Sequence, residues 1–72
     1  FRLPRAAEVS LSVFDIKGRR VATLLNVHCE AGTHQANWNG RDQRGDQVPG
    51  GLYFLRLRSA GRETTGKVIL MR

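Results

Sequence analysis

Seventy-two residues make one domain and no more, and a chain this short buries about 60% of the surface its unfolded form exposes. So thin a core leaves little room for an enclosed catalytic pocket, and the single cysteine, Cys29, cannot staple the fold internally. Twelve Lys and Arg, ten of them arginine, against six Asp and Glu give a net charge of +6, which favours anionic neighbours and carries no information on fold. No apolar run is long enough to cross a membrane as a helix. The chain starts at Phe1 without a methionine and is expected to be a processed or excised piece.

Phe1–Leu3 reads as a short edge strand. Period-two alternation begins in Val9-Ser10-Leu11-Ser12-Val13 and predicts a half-buried strand with Val9, Leu11 and Val13 on one face. Asp15-Ile16-Lys17-Gly18 supplies turn chemistry, because an aspartate can accept from the backbone two residues on and glycine tolerates positive φ. Across Arg20–Val27 the apolar residues Val21, Leu24 and Leu25 break the period of two, which predicts a bulge or a change of facing. A third strand is expected over Thr33–Trp38, with His34, Ala36 and Trp38 inward and Trp38 the chief core residue, packed on Val9, Leu11, Tyr53 and Leu55. Asn39–Gly51 is rich in turn formers and reads as a long folded-back loop. Leu52–Leu57 is the most β-prone run: Tyr53, Leu55 and Leu57 face one way, Leu52, Phe54, Arg56 and Arg58 the other. After a hairpin at Ser59–Arg62, the last strand spans Glu63–Met71. The sum is an all-β sandwich over residues 1–72, of six or seven short antiparallel strands and no helix.

Chemistry is scarce. His28, Cys29 and His34 do not form a metal set, since adjacent His28 and Cys29 point to opposite strand faces and no fourth ligand is suitably spaced. Cys29 and His34 also lack an orienting third group for nucleophilic catalysis. Asn39, Asp42 and Asp46 carry calcium-type oxygens, but Arg41 and Arg44 beside them oppose a cation, and turn capping is the simpler role. Arg44-Gly45-Asp46 spells an integrin-recognition tripeptide, but three residues often match by chance, and loop chemistry explains it. Arg56, Arg58 and Arg62 are expected to form a solvated basic stripe, with anionic surface polysaccharide as a second reading. Nucleic acid is not expected, because neither stacking aromatics nor a groove-reading helix accompanies that stripe. No cofactor, metal or catalytic residue is predicted. Cys29, in a polar stretch, is expected to be at least partly accessible.

Phe14, Asp15, Gly18 and Arg19, then Ala31, Gly32, Trp38, Asn39 and Gly40, then Gly51 and Tyr53, form a spaced pattern: an aromatic-Asp-x-x-Gly-Arg turn, an Ala-Gly before Trp-Asn-Gly, and a Gly-x-Tyr strand start. Val9–Leu24 and Ala31–Leu57 thereby resemble the immunoglobulin-like domain of the flagellar hook-capping protein family and its relatives, the C-terminal sorting domains of type IX secretion. The resemblance implies an immunoglobulin-like (fibronectin III-like) sandwich that is non-catalytic and secreted or displayed at the cell surface, exported across a bacterial outer membrane. It implies a C-terminal module that directs export or surface attachment of a larger protein, read by secretion machinery through Lys67, Val68, Ile69, Leu70, Met71 and Arg72. The alternative is a structural or adhesive module whose partners are neighbouring subunits or its parent domain, assembling into or capping an extracellular filament or appendage. The Pro-Asn-Pro opening usual in sorting domains is absent. Most of the pattern serves geometry: Asp15, Gly18, Gly32, Gly40, Gly45 and Gly51 sit where the bare sequence already asks for turns. In the last strand Val68 and Leu70 are expected to face the core and Ile69 and Met71 to point away, an apolar outer face that calls for a covering partner.

Overall fold

The computed structural model describes Phe1–Arg72 and contains six strands and no helix. They are β1 (Arg2–Leu3), β2 (Ala7–Phe14), β3 (Arg20–Cys29), β4 (Gly32–Thr33), β5 (Gly51–Ser59) and β6 (Arg62–Leu70). A four-stranded antiparallel sheet runs β3-β2-β5-β6, and β1 and β4 form a two-stranded one. The architecture is the expected all-β, immunoglobulin-like sandwich.

The alternation in β2 sets the core. Val9, Leu11 and Val13 stand opposite Val27, Leu25 and Ala22 on β3, and opposite Ser59, Leu57 and Leu55 on β5. Residues directly opposite share a face, so three strands pool their apolar side chains on one side of the sheet. Val9 and Val13 are sealed from solvent, at 1% and 0% exposure. Each such valine contributes roughly 1.5–3 kcal/mol relative to an exposed position. At one end Leu3 closes over Val9 and Cys29, with Phe1 and Leu57 packed around them.

The broken period in β3 resolves into two bulges. Leu25 pairs with Leu11 but Thr23 with Ser12, leaving Leu24 unmatched, and Ala22 pairs with Val13 but Arg20 with Phe14, leaving Val21 unmatched. Because Ala22 and Leu25 are three apart, only an inserted residue lets both face the core.

Two expectations are corrected. The third strand shrinks to Gly32–Thr33, because the ladder runs Leu3↔Gly32 and Arg2↔Thr33, with His34 N–H donating to Phe1 O at 2.7 Å, and offers Gln35 no partner. The facing was nevertheless right: His34, Ala36 and Trp38 are half-buried while Gln35 and Asn37 are exposed. Trp38 is therefore a half-buried lid, and the deepest core belongs to the β2 valines. Cys29 is the second correction. Its neighbours His28 and Glu30 are polar, but alternation turns the thiol inward against Leu3 and Val9, where it is 9% exposed.

The native thiol of Cys29 should resist labelling by an aromatic disulfide reagent and react stoichiometrically once urea unfolds the chain. Cys29→Ser should lose roughly 1–3 kcal/mol in a urea titration, since a hydroxyl there has no partner.

Candidate interaction surface

Two short segments fold into the same turn. In the first, Asp15 Oδ1 accepts from Lys17 N–H and Arg19 N–H, both at 2.9 Å, while Gly18 N–H donates to Asp15 O at 3.0 Å. In the second, Asp42 Oδ1 accepts from Arg44 N–H at 2.9 Å and Asp46 N–H at 3.0 Å, while Gly45 N–H donates to Asp42 O at 3.0 Å. Both need an aspartate to gather orphan amides and a glycine three residues on at positive φ, 82° and 90°. Asp15 also receives Arg19 Nε at 2.9 Å. The amide of Arg19, then its guanidinium and the amide of Lys17, hold the Asp15 carboxyl below its ordinary range. In the second turn the amides of Arg44 and Asp46 both donate to Asp42 Oδ1, and Asn39 Oδ1 accepts Arg41 N–H at 3.0 Å, so two of the three residues considered for calcium, Asn39 and Asp42, use a side-chain oxygen to cap the turn. Arg44-Gly45-Asp46 is the body of this turn.

Four side chains pin the 39–49 loop to the sandwich. Trp38 Nε1–H donates to Arg41 O at 2.9 Å, Tyr53 Oη–H to Pro49 O at 2.6 Å, and the two rings meet edge to face with centroids 5.0 Å apart. Gln43 reaches β3: its N–H donates to Val21 O at 3.1 Å and its Oε1 accepts Thr23 N–H at 2.9 Å. Arg72 donates from Nε to Val48 O at 2.7 Å and from Nη2 to Gly40 O. Gly40 has φ 75°, and a Cβ there would lie 2.6 Å from Arg72 Nη2. The bridging roles of Gln43 and Arg72 join positions 20 and 24 residues apart and leave no local sequence signal.

The predicted basic stripe divides. Arg56 and Arg58 share one face of β5 with Glu63 of β6, whose Oε1 lies 3.4 Å from Arg56 Nε and 2.8 Å from Arg58 Nε. The hydrogen bond from Arg58, followed by the charges of Arg58 and Arg56, lowers the Glu63 pKa. Arg56 also lies over the Phe14 ring, 4.3 Å from its centroid. Arg62 pairs with Ser59 and so lies on the opposite, core-side face of the sheet, apart from the other two.

At the far end of the Arg56 face the surface turns apolar. Phe14 pairs with Phe54 and Leu52 with Ile69, with Ile69 67%, Met71 84% and Ile16 71% exposed nearby in the chain. Val68 and Leu70 are half-buried on the core face. Lys67 stands opposite Phe54 and is exposed. Arg72 is committed to the 39–49 loop. The histidines diverge from Cys29: His28 is exposed on the outer face, and His34 stacks on Phe1 at 5.3 Å and donates from Nε2 to Glu30 O. A shallow groove of about 500 Å³ lies beside the β5–β6 turn between Glu8, Ser10, Asn26, Arg58 and Glu63.

Because the depressed carboxyls of Asp15 and Glu63 bind fewer protons folded than unfolded, their contribution is complete above the ordinary carboxylate range. It is lost as pH falls through the lowered values. Melting temperature should therefore drop on acidification below about pH 4, and less in Asp15→Asn/Glu63→Gln. Gly40→Ala should cost roughly 1–3 kcal/mol, and less in an Arg72→Ala background that opens the space beside it.

Across residues 1–63 the chain matches the family model described as FlgD Ig-like domain. That span covers β1–β5 and ends within β6, before Lys67. No curated protein and no solved structure matches the chain.

Proposed function

We propose that this chain, which belongs to the FlgD Ig-like domain family, is a structural module that joins a larger protein to neighbouring subunits of an extracellular appendage or surface assembly. The family is one of structural, non-catalytic domains, and its flagellar hook setting supports contact with neighbouring subunits. The observation that carries the reading to this chain is its unpartnered surface. Leu52 and Ile69 are paired and exposed at one end of the sheet, on the face that carries Phe14 and Phe54, and exposed Met71 follows just beyond the strand; a monomer gains nothing from such apolar side chains in water. Protein contact is favoured over anionic polysaccharide, because Arg56 and Arg58 already share Glu63. A sorting role draws less support: the family match ends before the segment assigned to it, and Arg72 is spent inside the fold.

Removing residues 1–72 from the full-length protein should leave its export intact and shift it from the assembled or cell-bound fraction to the medium, measured by fractionation and immunoblotting. Deleting only 67–72 should leave export undiminished. Retention of the shortened, folded protein inside the cell would overturn the structural reading in favour of sorting.

A further inference from the structure

The four-stranded sheet has two outer edges, and the chain treats them differently. On β3, the unmatched residues Val21 and Leu24 break the strand's regularity, and Gln43 occupies the edge through its bonds to Val21 and Thr23. These are ordinary devices against unwanted strand pairing. On β6 neither is present. Its nine residues pair with β5 in unbroken register from Ser59↔Arg62 to Gly51↔Leu70, and no hydrogen bond from outside the ladder reaches its backbone. From Arg62 to Lys67 it is exposed on both faces.

The free groups of that edge can be assigned. Ala60 and Gly61, at φ 51° and 77°, form a two-residue turn, so Ser59 and Arg62 are a hydrogen-bonded pair. Alternation then turns the backbone N–H and C=O of Glu63, Thr65, Lys67 and Ile69 outward. The chain also exposes more surface than its size requires: 5401 Å², against about 4,500 Å² expected for a folded monomer of 8.1 kDa. The excess is comparable to the ~800 Å² that one partner contributes to a standard interface.

We propose that β6 is a self-association edge, on which the β6 strand of a second copy of this chain pairs antiparallel about a two-fold axis at Thr65. The proposal rests on the reading of the chain as an assembly module. Charge selects the register. Centring the pair on Glu63 or Lys67 opposes like charges, and centring it on Thr64 or Gly66 sets the Glu63 carboxylate against Thr65 or Ile69. Centring it on Thr65 places Glu63 of each copy opposite Lys67 of the other, both among the residues whose backbone faces outward. The partners are available: Arg56 and Arg58 both use Oε1 of Glu63, leaving Oε2, and Lys67 takes part in no ion pair. Lys67 thus blocks parallel in-register stacking, which would align lysines, while permitting one closed, isologous pair. The result is a continuous eight-stranded sheet whose remaining edges are the two β3 strands, each bulged at Val21 and Leu24 and met by Gln43 at Val21 and Thr23.

Sedimentation equilibrium of the 72-residue chain from micromolar to millimolar concentration should show a monomer–dimer equilibrium. Lys67→Glu should weaken the dimer about tenfold or more, as should Glu63→Lys, and an equimolar mixture of the two variants should restore association as a heterodimer. Thr65→Pro, which removes an outward N–H that β5 does not use, should abolish dimerisation while the circular dichroism spectrum stays that of the folded chain. A chain that remains monomeric at millimolar concentration, or a dimer indifferent to both charge reversals, would overturn the proposal. If, in that case, deletion of the domain still releases the full-length protein from its assembly, the structural reading stands and only self-pairing through β6 is lost.

Discussion

Strand β2 is the member on which the rest of the sandwich depends. It holds both side chains sealed from solvent, Val9 and Val13, and pairs with β3 on one side and β5 on the other. Only nine of 72 residues are buried, so there is no second core to compensate for damage to this one. The two-stranded sheet covers only the Val9 end, through Leu3. At the other end the covering material is the 34–49 segment, which has almost no ladder of its own and is held by the rings of Trp38 and Tyr53 and by side-chain hydrogen bonds to its carbonyls.

That reliance on side-chain donors explains how a loop of charged and turn-forming residues holds one shape. A loop of this length costs backbone entropy that apolar burial in so small a domain cannot offset alone. Asp42 gathers the amides of its own turn, Tyr53, Trp38 and Arg72 donate to loop carbonyls from outside it, and Gln43 reaches out from within it to the backbone of Val21 and Thr23. The tail is part of this arrangement, since the Arg72 guanidinium lies against Gly40 at the one place where a β-carbon would collide with it.

The same economy shapes the surface. Resources spent on pinning the loop and capping β3 are absent from β6, which is left regular, unbulged and open, next to an apolar end made by Leu52, Ile69 and Met71. In a free monomer such an edge invites uncontrolled pairing; in a module whose task is contact with neighbouring subunits, it is the part that has to stay open. The arginine-rich composition suggested an anionic partner, but much of the charge is used locally. Arg19 holds Asp15, Arg56 and Arg58 hold Glu63, and Arg72 holds the loop.

Much was legible in the linear order of residues. Alternation in Val9–Val13 and Leu52–Leu57 reports facing directly, because a strand's side chains alternate whatever they pack against, and the Asp-x-x-Gly turns report themselves because their bonds close within five residues. The sequence by itself therefore determined the all-β class, the inward faces of β2 and β5, the turns, and the resemblance to the hook-capping immunoglobulin-like family that the family match supports. Only the tertiary structure decided the rest. Whether Thr33–Trp38 became a strand depended on how much ladder β1 could offer, and whether Cys29 was open depended on Leu3 arriving from the other sheet. Which face Arg62 joined depended on the register set by the Ala60-Gly61 turn, and which edge stayed open depended on Gln43 reaching Val21 and Thr23. Each is a contact between residues distant in sequence, or a one-residue choice of register, and local periodicity carries no record of either.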